Sequence, residues 1–187
     1  DKRFIYEESL RMPFMVRYPK HIKAGSVNND IITNIDFAPT LLEFAGIKTE
    51  QNMQGESFVA NLFGQKPNDW QKGMYYHYYE FPYWHHVQPH YGIRTDKFTL
   101  AHFYYNIDVW ELYDREKDPN QINNIVNDPQ YASVVKELKS DLKNMMGKYE
   151  NNKSLDDFRV ITDKDFGLIV DKKDDETSVR DVVTNKK

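Results

Sequence analysis

The sequence contains no cysteine among its 187 residues. A chain without thiols can form no disulfide framework, no thiolate metal site and no cysteine nucleophile. It also has no apolar run close to the roughly 20 residues that a membrane-spanning helix requires. The net charge of −4 and the pI near 5.9 disfavour nucleic acid as the main partner, because phosphate binding requires a basic surface. We therefore expect no membrane span, no thiol chemistry and no nucleic-acid partner.

The N-terminus has neither an initiator methionine nor the hydrophobic region of a signal peptide. It begins with Asp1 and Lys2 and reads as the interior of a longer sequence. With 40% apolar and 14% aromatic residues, the chain has enough core-forming side chains for one domain or two small ones. We therefore expect a folded part of a longer protein.

Before residue 65, the pattern predicts a short strand followed by a helix. Residues 13–19 form an apolar run bounded by prolines, which is typical of a buried strand. Asp36 is a suitable cap for a helix over residues 37–45, with one apolar face (Phe37, Leu41, Leu42 and Ala45) and Gly46 at its end. Residues 65–72 are polar, and we expect a subdomain boundary there.

After this connector, the pattern predicts an antiparallel sheet and one long helix. Four strands are expected at residues 74–79, 91–95, 98–104 and 109–113, with a hairpin around Asp96 and Lys97. Asp128 and Pro129 then begin a helix whose apolar residues recur at helical spacing as far as Tyr149. The predicted fold class is α/β of the α+β kind, since three or four antiparallel strands need a helix to cover one face.

Residues 151–187 are dense in charges of both signs. Only Val160 and Ile161 and the run 166–170 are apolar enough to be buried. We expect a charged, partly ordered tail that forms either a short pair of strands or a wrap over the surface and then a mobile end.

Four of the six histidines lie between residues 75 and 97, among many aromatic side chains. Imidazoles, an arginine and aromatic faces suit an anionic ring such as an acidic sugar. The alternative is that the tyrosines are half-buried strand residues, since aromatic side chains are favoured in sheets. A zinc site at His77, His85, His86 and His90 is disfavoured, because their spacing fits no standard pattern.

Several sequence motifs, in this order and spacing, resemble the C-terminal part of type I sulfatases of the alkaline phosphatase superfamily. They are KRFIYEESLRMP (2–13), NIDFAPTLL (34–42), YGIRTDK (91–97), WELYD (110–114) and KDP (117–119). The resemblance covers roughly residues 1–150 and is closest to carbohydrate sulfatases of the N-acetylglucosamine-6-sulfatase-like and heparan types. It implies that residues 1–72 end the large α/β catalytic domain and that residues 73–150 form the smaller C-terminal subdomain, followed by the tail 151–187.

The resemblance also implies a reaction. Family members hydrolyse sulfate esters or sulfamates with a formylglycine, made from Cys or Ser in a C/S-x-P-x-R motif, and a calcium ion. Neither the motif nor the calcium ligands are found in this chain, so both are expected in the N-terminal catalytic part of the same protein. We expect this chain alone to bind no calcium and to be inactive. A periplasmic, lysosomal or secreted location is expected from the family.

Only some of the family's site residues can be transferred to this sequence. Lys2 matches the lysine that binds the substrate sulfate. Trp84, His85, His90 and Arg94 match a region that contacts the sugar. Tyr6, Glu7 and Arg11 are expected to be structural, with a buried Glu–Arg pair fixing the entry to the strand.

Two other classes of function remain open from the sequence. One is a stand-alone carbohydrate-binding or scaffold module without catalysis, and the other is an interaction domain without a sugar role. The upstream sequence would discriminate between them and the enzyme.

Overall fold

The computed structural model describes residues 2–81 and 85–165. Two short 3-10 helices, Asn34–Asp36 and Pro129–Tyr131, each lead directly into an α-helix. The strands are β1 (Gly73–Tyr78), β2 (His90–Thr95), β3 (Phe98–Phe103) and β4 (Val109–Asp114). The helices are α1 (Glu7–Leu10), α2 (Phe37–Phe44), α3 (Val59–Leu62), α4 (Ala132–Lys148) and α5 (Leu155–Asp165).

The four strands form one sheet in the order β1-β2-β3-β4. β3 and β4 pair antiparallel, with Phe98 opposite Asp114 and Phe103 opposite Val109. Each predicted strand boundary lies within one residue of the observed one. The predicted fold class, an antiparallel four-stranded sheet with one long helix, is therefore confirmed.

The described residues pack as two compact units. The first, which we call the sheet unit, contains the described parts of 1–10, 75–93 and 98–187. The second unit contains residues 11–74 and 94–97. Residues 2–10 thus pack with the sheet unit, although the sequence grouped them with residues 11–72; the predicted domain boundaries stay predictions about the longer protein.

In the sheet unit, side chains alternate between the two faces of the sheet, as strand geometry requires. Leu100 and Tyr104 belong to one core cluster and Ala101 and Phe103 to another. The first cluster includes residues of β2, β3, β4, α4 and α5: Tyr91, Ile93, Leu100, Tyr104, Leu112, Leu138, Leu142 and Phe158. The second cluster buries Ile5 from the N-terminal segment. Both faces of the sheet are therefore covered.

The start of the long helix follows the predicted signal. The Asp128 side chain accepts a hydrogen bond from the backbone N–H of Gln130 at 2.9 Å, and Pro129 occupies the first turn. Leu138 and Leu142, four residues apart, are its buried residues. Helical spacing thus correctly predicted the face that packs on the sheet.

The predicted strand pair in the tail is wrong for Val160 and Ile161, which lie in α5. Ser154 and Asp157 exchange hydrogen bonds at the start of this helix, and this local capping favours helix over strand. Phe158 is buried in the first core cluster. The second predicted strand, residues 166–170, lies outside the described residues.

The second unit is organised around a buried carboxylate, Asp36. Its side chain accepts hydrogen bonds from the backbone and hydroxyl of Thr33, from the Glu56 backbone and from the Gln71 amide. Asp36 is the N-cap residue of α2, as predicted, but its carboxylate turns back toward Thr33 and makes no cap bond to α2. Gly46 does end this helix, with φ of 69°.

The predicted strand at residues 13–19 is also wrong. These residues form no strand, and Met15 is 91% exposed. A lone strand is unstable without neighbours to pair with, and the described residues supply none. The predicted buried face of α2 is likewise open at Leu41, which is 65% exposed, and at Ala45.

Candidate functional site

The structure separates the histidines of the aromatic stretch. His77 and His90 lie in β1 and β2 and are mostly buried, whereas His85 and His86 are exposed in the connection between these strands. His77 contacts the cluster that includes Phe158. His90 contacts Phe4 and Phe103 of the other cluster. Within the described residues, no group of three or more His, Asp or Glu side chains could hold a metal ion.

His90 has no exposed surface. Its ring stacks on Phe103 at 4.6 Å and contacts Phe4, Tyr76 and Tyr78 at 5.6–5.8 Å between ring centres. Burial lowers the pKa of His90 to about 4, so the ring is neutral at pH 7. The expectation that His90 touches the sugar directly is therefore corrected, because a ring this enclosed offers no atom to a substrate.

The tautomer of His90 follows from its partner. Nδ1 lies 2.8 Å from the Gln88 carbonyl oxygen, which can only accept, so Nδ1 carries the proton. Nε2 is then a bare acceptor, buried and without a hydrogen-bond partner among the described residues. The side chain thus serves as a flat packing surface.

Lys2 is exposed at the start of a segment that is otherwise fixed to the sheet. Ile5 is completely buried against Ala101 and Phe103. The Tyr76 hydroxyl donates to the Arg3 carbonyl oxygen at 2.7 Å. An exposed ammonium on an anchored backbone is suited to meet an anion that approaches from outside the sheet unit.

Gly92 is required for this anchoring. A Cβ atom at this position would lie 2.2 Å from the Leu100 carbonyl oxygen and 2.7 Å from Ile5 Cδ1. No side chain fits there without a backbone shift, so glycine provides the space that Ile5 occupies.

The residues after Lys2 are held by polar contacts. The Tyr6 hydroxyl donates to Glu111 at 2.7 Å. Glu7 forms a mostly buried ion pair with Arg115 at 3.2 Å, and its backbone N–H donates to Gln121 at 2.7 Å. The structural role predicted for Tyr6 and Glu7 fits these contacts, but the arginine of the pair is Arg115, whereas Arg11 is exposed in the second unit.

The remaining predicted sugar contacts are less defined. His85 is exposed in the sheet unit. Arg94 is partly exposed and lies in the second unit. Trp84 lies outside the described residues. The structure therefore brings His90 together with the segment that carries Lys2.

A polar network around His77 was not predicted. Its Nε2 lies 2.9 Å from the Tyr104 hydroxyl, and its Nδ1 lies 3.0 Å from the Tyr75 hydroxyl and 3.1 Å from the Asn151 amide nitrogen. Phe158 packs edge-on against the ring at 4.6 Å. His77 thereby joins β1 to the residues that follow α4 and to α5.

α5 is attached to the sheet by further polar bonds. The Arg159 guanidinium donates to the Tyr104 carbonyl oxygen at 3.0 Å, and the Tyr105 hydroxyl donates to Asp163. Tyr75 and His77 are two residues apart in β1, so their side chains share one face of the strand. This alternation was the one sequence signal that could have placed His77 beside Tyr75.

The contacts of another histidine, His102, fix the hairpin of β3 and β4. His102 lies between the Tyr91 hydroxyl, at 2.9 Å, and Asp108, at 2.7 Å. Its ring is stacked flat on Trp110 at 4.1 Å, and the Lys139 ammonium lies 3.9 Å from the centre of the indole. These contacts join α4 to the hairpin and account for His102 structurally.

Acidification should destabilise the protein through His77. Burial lowers the pKa of His77 to about 3 from its ordinary value of 6.5, so the folded state excludes a proton that the unfolded chain binds. The stability it contributes is complete above pH 6.5 and is lost as the pH falls below that value. Urea titration of the full-length protein should therefore show a smaller difference in unfolding free energy between pH 7.5 and 5 for His77→Gln than for the wild type.

The exposed His86 provides the matched control. His86→Gln should keep the wild-type pH dependence. An unchanged pH dependence in His77→Gln would contradict the assignment of His77 as a buried neutral histidine.

The second unit contains a cleft of about 480 Å³. Apolar side chains such as Phe14, Val16 and Ile22 line it together with Asp30 and Asn61. It includes none of the predicted site residues that the structure describes. No helix of the described residues is long and apolar enough to cross a membrane.

Comparisons with known proteins account for this combination of fold and motifs. Residues 1–148 match the model of a family described as N-sulphoglucosamine sulphohydrolase, C-terminal. An N-acetylglucosamine-6-O-sulfatase of Bacteroides thetaiotaomicron is 51% identical over 154 residues, which are 81% of this chain and 28% of that protein. An ulvan-active sulfatase of Formosa agariphila is 25% identical over 190 residues, covering 76% of this chain and 30% of that protein.

A solved structure supports the same family. It is described as a protein in complex with its substrate D-glucosamine-2-N,6-O-disulfate, and it superposes with a TM-score of 0.80 at 49% identity, over 83% of this chain and 32% of that chain. Sheet, helix and N-terminal motif together define the C-terminal part of a sulfatase. The chain belongs to the sulfatase family described as N-sulphoglucosamine sulphohydrolase, C-terminal. It spans about a third or less of the length of the relatives that it matches.

Proposed function

We propose that this chain is the C-terminal part of a sulfatase that removes a 6-O-sulfate from glucosamine-containing saccharides. The 51% identity to an N-acetylglucosamine-6-O-sulfatase carries this proposal. It is supported by the structural neighbour, whose substrate is D-glucosamine-2-N,6-O-disulfate.

Lys2 is the proposed catalytic residue in this part of the enzyme. Its ammonium contacts the sulfate oxygens and offsets the negative charge that develops on them as the S–O bond breaks. The exposure of Lys2 and the fixed backbone after it support this role. We propose that the formylglycine nucleophile and a calcium ion, which polarises the sulfate, are held by residues outside this chain.

The open apolar surface of the second unit supports a larger protein. Met15 and Leu41 are largely exposed, and the cleft beside Phe14 is partly apolar. Large apolar patches are normally covered by another part of the protein or by a partner, and these exposed side chains are candidates for such a patch. We propose that the N-terminal catalytic part covers it.

The sulfate position can be tested with one substrate. The full-length sulfatase that contains this chain should convert D-glucosamine-2-N,6-O-disulfate to the N-sulfated sugar, identified by mass spectrometry and NMR. Loss of the N-sulfate with the 6-O-sulfate retained would replace the ester-hydrolase proposal by a sulfamidase. Binding of the sugar without release of either sulfate would favour the alternative, a carbohydrate-binding module without catalysis.

His85, Arg94 and Trp84 remain the proposed sugar contacts. Replacing His85 by alanine should lower kcat/KM for the sulfated saccharide by about 2–10-fold, since each lost hydrogen bond to a hydroxyl costs about 0.5–1.5 kcal/mol. A small aryl sulfate lacks those hydroxyls, so its kcat/KM should not change. The neighbouring His86→Ala is the matched control, because both imidazoles are exposed in the same connection.

Two outcomes would contradict a sugar contact at His85. Equal losses on saccharide and aryl sulfate would indicate a structural or catalytic role. Unchanged kinetics on both substrates would remove His85 from the site.

A further inference from the structure

We propose that Tyr76 is a positioning residue for Lys2. Its hydroxyl bonds the backbone of Arg3, the residue after Lys2. The buried His90 contacts the rings of Tyr76 and Phe4 and so supports this part of the backbone. This inference rests on the proposed role of Lys2 in sulfate binding and adds the residues that hold Lys2 in place. It also gives the buried His90 a function that direct sugar contact cannot.

The hydrogen bond from Tyr76 is well defined in its direction. A carbonyl oxygen only accepts, so the Tyr76 hydroxyl donates to the Arg3 carbonyl across 2.7 Å. Burial raises the pKa of Tyr76, so the hydroxyl keeps its proton throughout the physiological range. Arg3 directly follows Lys2, and this bond therefore fixes the peptide group between Arg3 and Phe4, one residue beyond Lys2.

The side chain of Arg3 supplies a second attachment. Its Nε lies 3.8 Å from Glu80, and the Tyr78 hydroxyl donates to the same Glu80 oxygen at 3.1 Å. Tyr76 and Tyr78 are two residues apart in β1, so they project from the same face of the strand. The backbone and the side chain of Arg3 are thus both attached to the β1 segment and the residues just after it.

An aromatic layer lies beneath these bonds. Phe4 stacks on His90 at 5.8 Å and on Tyr6 at 5.3 Å, and Tyr76 contacts His90 at 5.6 Å. His90 is neutral and held by the Gln88 carbonyl, so it gives Phe4 an uncharged surface to pack on. Ile5 then locks the segment into the space left by Gly92.

This anchoring matters because a lysine side chain is long and flexible. Its ammonium can be held at a sulfate only if the backbone that carries it is fixed. A displacement of about 1 Å in a catalytic group can cost about 10²-fold in rate. Loosening one of several attachments should cause a smaller and measurable loss.

The test uses Tyr76→Phe in the full-length sulfatase, which removes the hydroxyl and keeps the ring. We expect kcat/KM to fall about tenfold, equally on an aryl sulfate and on a sulfated saccharide, since the sulfate is common to both. Tyr104→Phe is the matched control, because it removes a buried hydroxyl that bonds His77 in the other cluster. Its kcat/KM should equal that of the wild type.

A double-mutant cycle separates positioning from a general structural effect. If Tyr76 acts through Lys2, Tyr76→Phe should cause no further loss in kcat/KM when Lys2 is already alanine. Additive losses, or wild-type kinetics in Tyr76→Phe beside a defective Lys2→Ala, would overturn the positioning role alone. Wild-type kinetics in Lys2→Ala would instead overturn the proposed sulfate-binding role.

A second variant keeps the inference testable if Tyr76→Phe does not fold. Glu80→Gln retains the shape of the side chain and removes the charge that faces Arg3. It should lower kcat/KM severalfold, and the loss should again vanish in the Lys2→Ala background. A loss that persists there would contradict the positioning role.

Discussion

Replacing Lys2 by alanine in the full-length sulfatase should lower kcat/KM by about 10²-fold or more, as the loss of one charge-stabilising group typically does. The charge on the sulfate oxygens increases between substrate and transition state, so an ammonium at these oxygens stabilises the transition state more than the substrate. The loss should appear in kcat as well as in KM. It should be similar for aryl sulfate and saccharide substrates, because both present the same sulfate.

The matched control is Lys136→Ala, which removes an exposed ammonium from α4 of the same unit. It should leave kcat/KM unchanged. If Lys2→Ala also shows wild-type kinetics, the alignment of the N-terminal motif with the family lysine is wrong.

Replacing Leu138 by alanine should lower the free energy of unfolding by about 2–5 kcal/mol. Leu138 is buried in the cluster formed by the sheet, α4 and α5. Alanine there removes apolar contacts and leaves a cavity, which side chains such as Leu100 and Leu112 in a packed sheet cannot readily fill. Urea titration of the full-length protein provides the measurement.

Glu137→Ala is the control for this substitution, since residue 137 is exposed on the same turn of α4. It should change the free energy of unfolding by no more than about 0.5 kcal/mol. A similarly small change in Leu138→Ala would contradict the packing of α4 on the sheet.

The sheet and the long helix could be predicted because their signals are local. A short run rich in strand-favouring residues, 98–104, indicates a strand, and the spacing of Leu138 and Leu142 indicates a helix face. Asp128 and Pro129 marked the start of the helix by chemistry that needs only neighbouring residues. None of these signals depends on a distant part of the chain.

Two of the failed predictions concern segments whose structure depends on distant parts of the protein. Residues 13–19 have the composition of a buried strand, but a strand exists only when neighbouring strands pair with it, and the described residues supply none. Leu41 has the spacing of a buried helix residue, and it is exposed because the described residues do not cover it. Val160 and Ile161 favour strands by type, whereas the capping pair of Ser154 and Asp157 determines the helix.

The site illustrates the same limit. The motif identified Lys2 as a candidate, but Tyr76, which bonds the carbonyl of the neighbouring Arg3, is 73 positions from Arg3 in sequence. Glu7 pairs with Arg115 rather than with a neighbouring arginine. The histidine-rich stretch drew attention to His90 as a surface residue, but the fold places this ring in a core. Long-range contacts of this kind follow from the three-dimensional fold and carry no local sequence signal.

The claim that this chain is one part of a sulfatase, and is inactive alone, is tested most directly by comparing sulfate release by two proteins on the same substrates. The full-length sulfatase and residues 1–187 alone are incubated with calcium and either an aryl sulfate or a 6-O-sulfated glucosamine, and free sulfate is measured. We predict release by the full-length protein and none by residues 1–187, because this chain supplies Lys2 without the nucleophile. Metal-dependent sulfate release by residues 1–187 alone, or none by the folded full-length protein on either substrate, would contradict the claim.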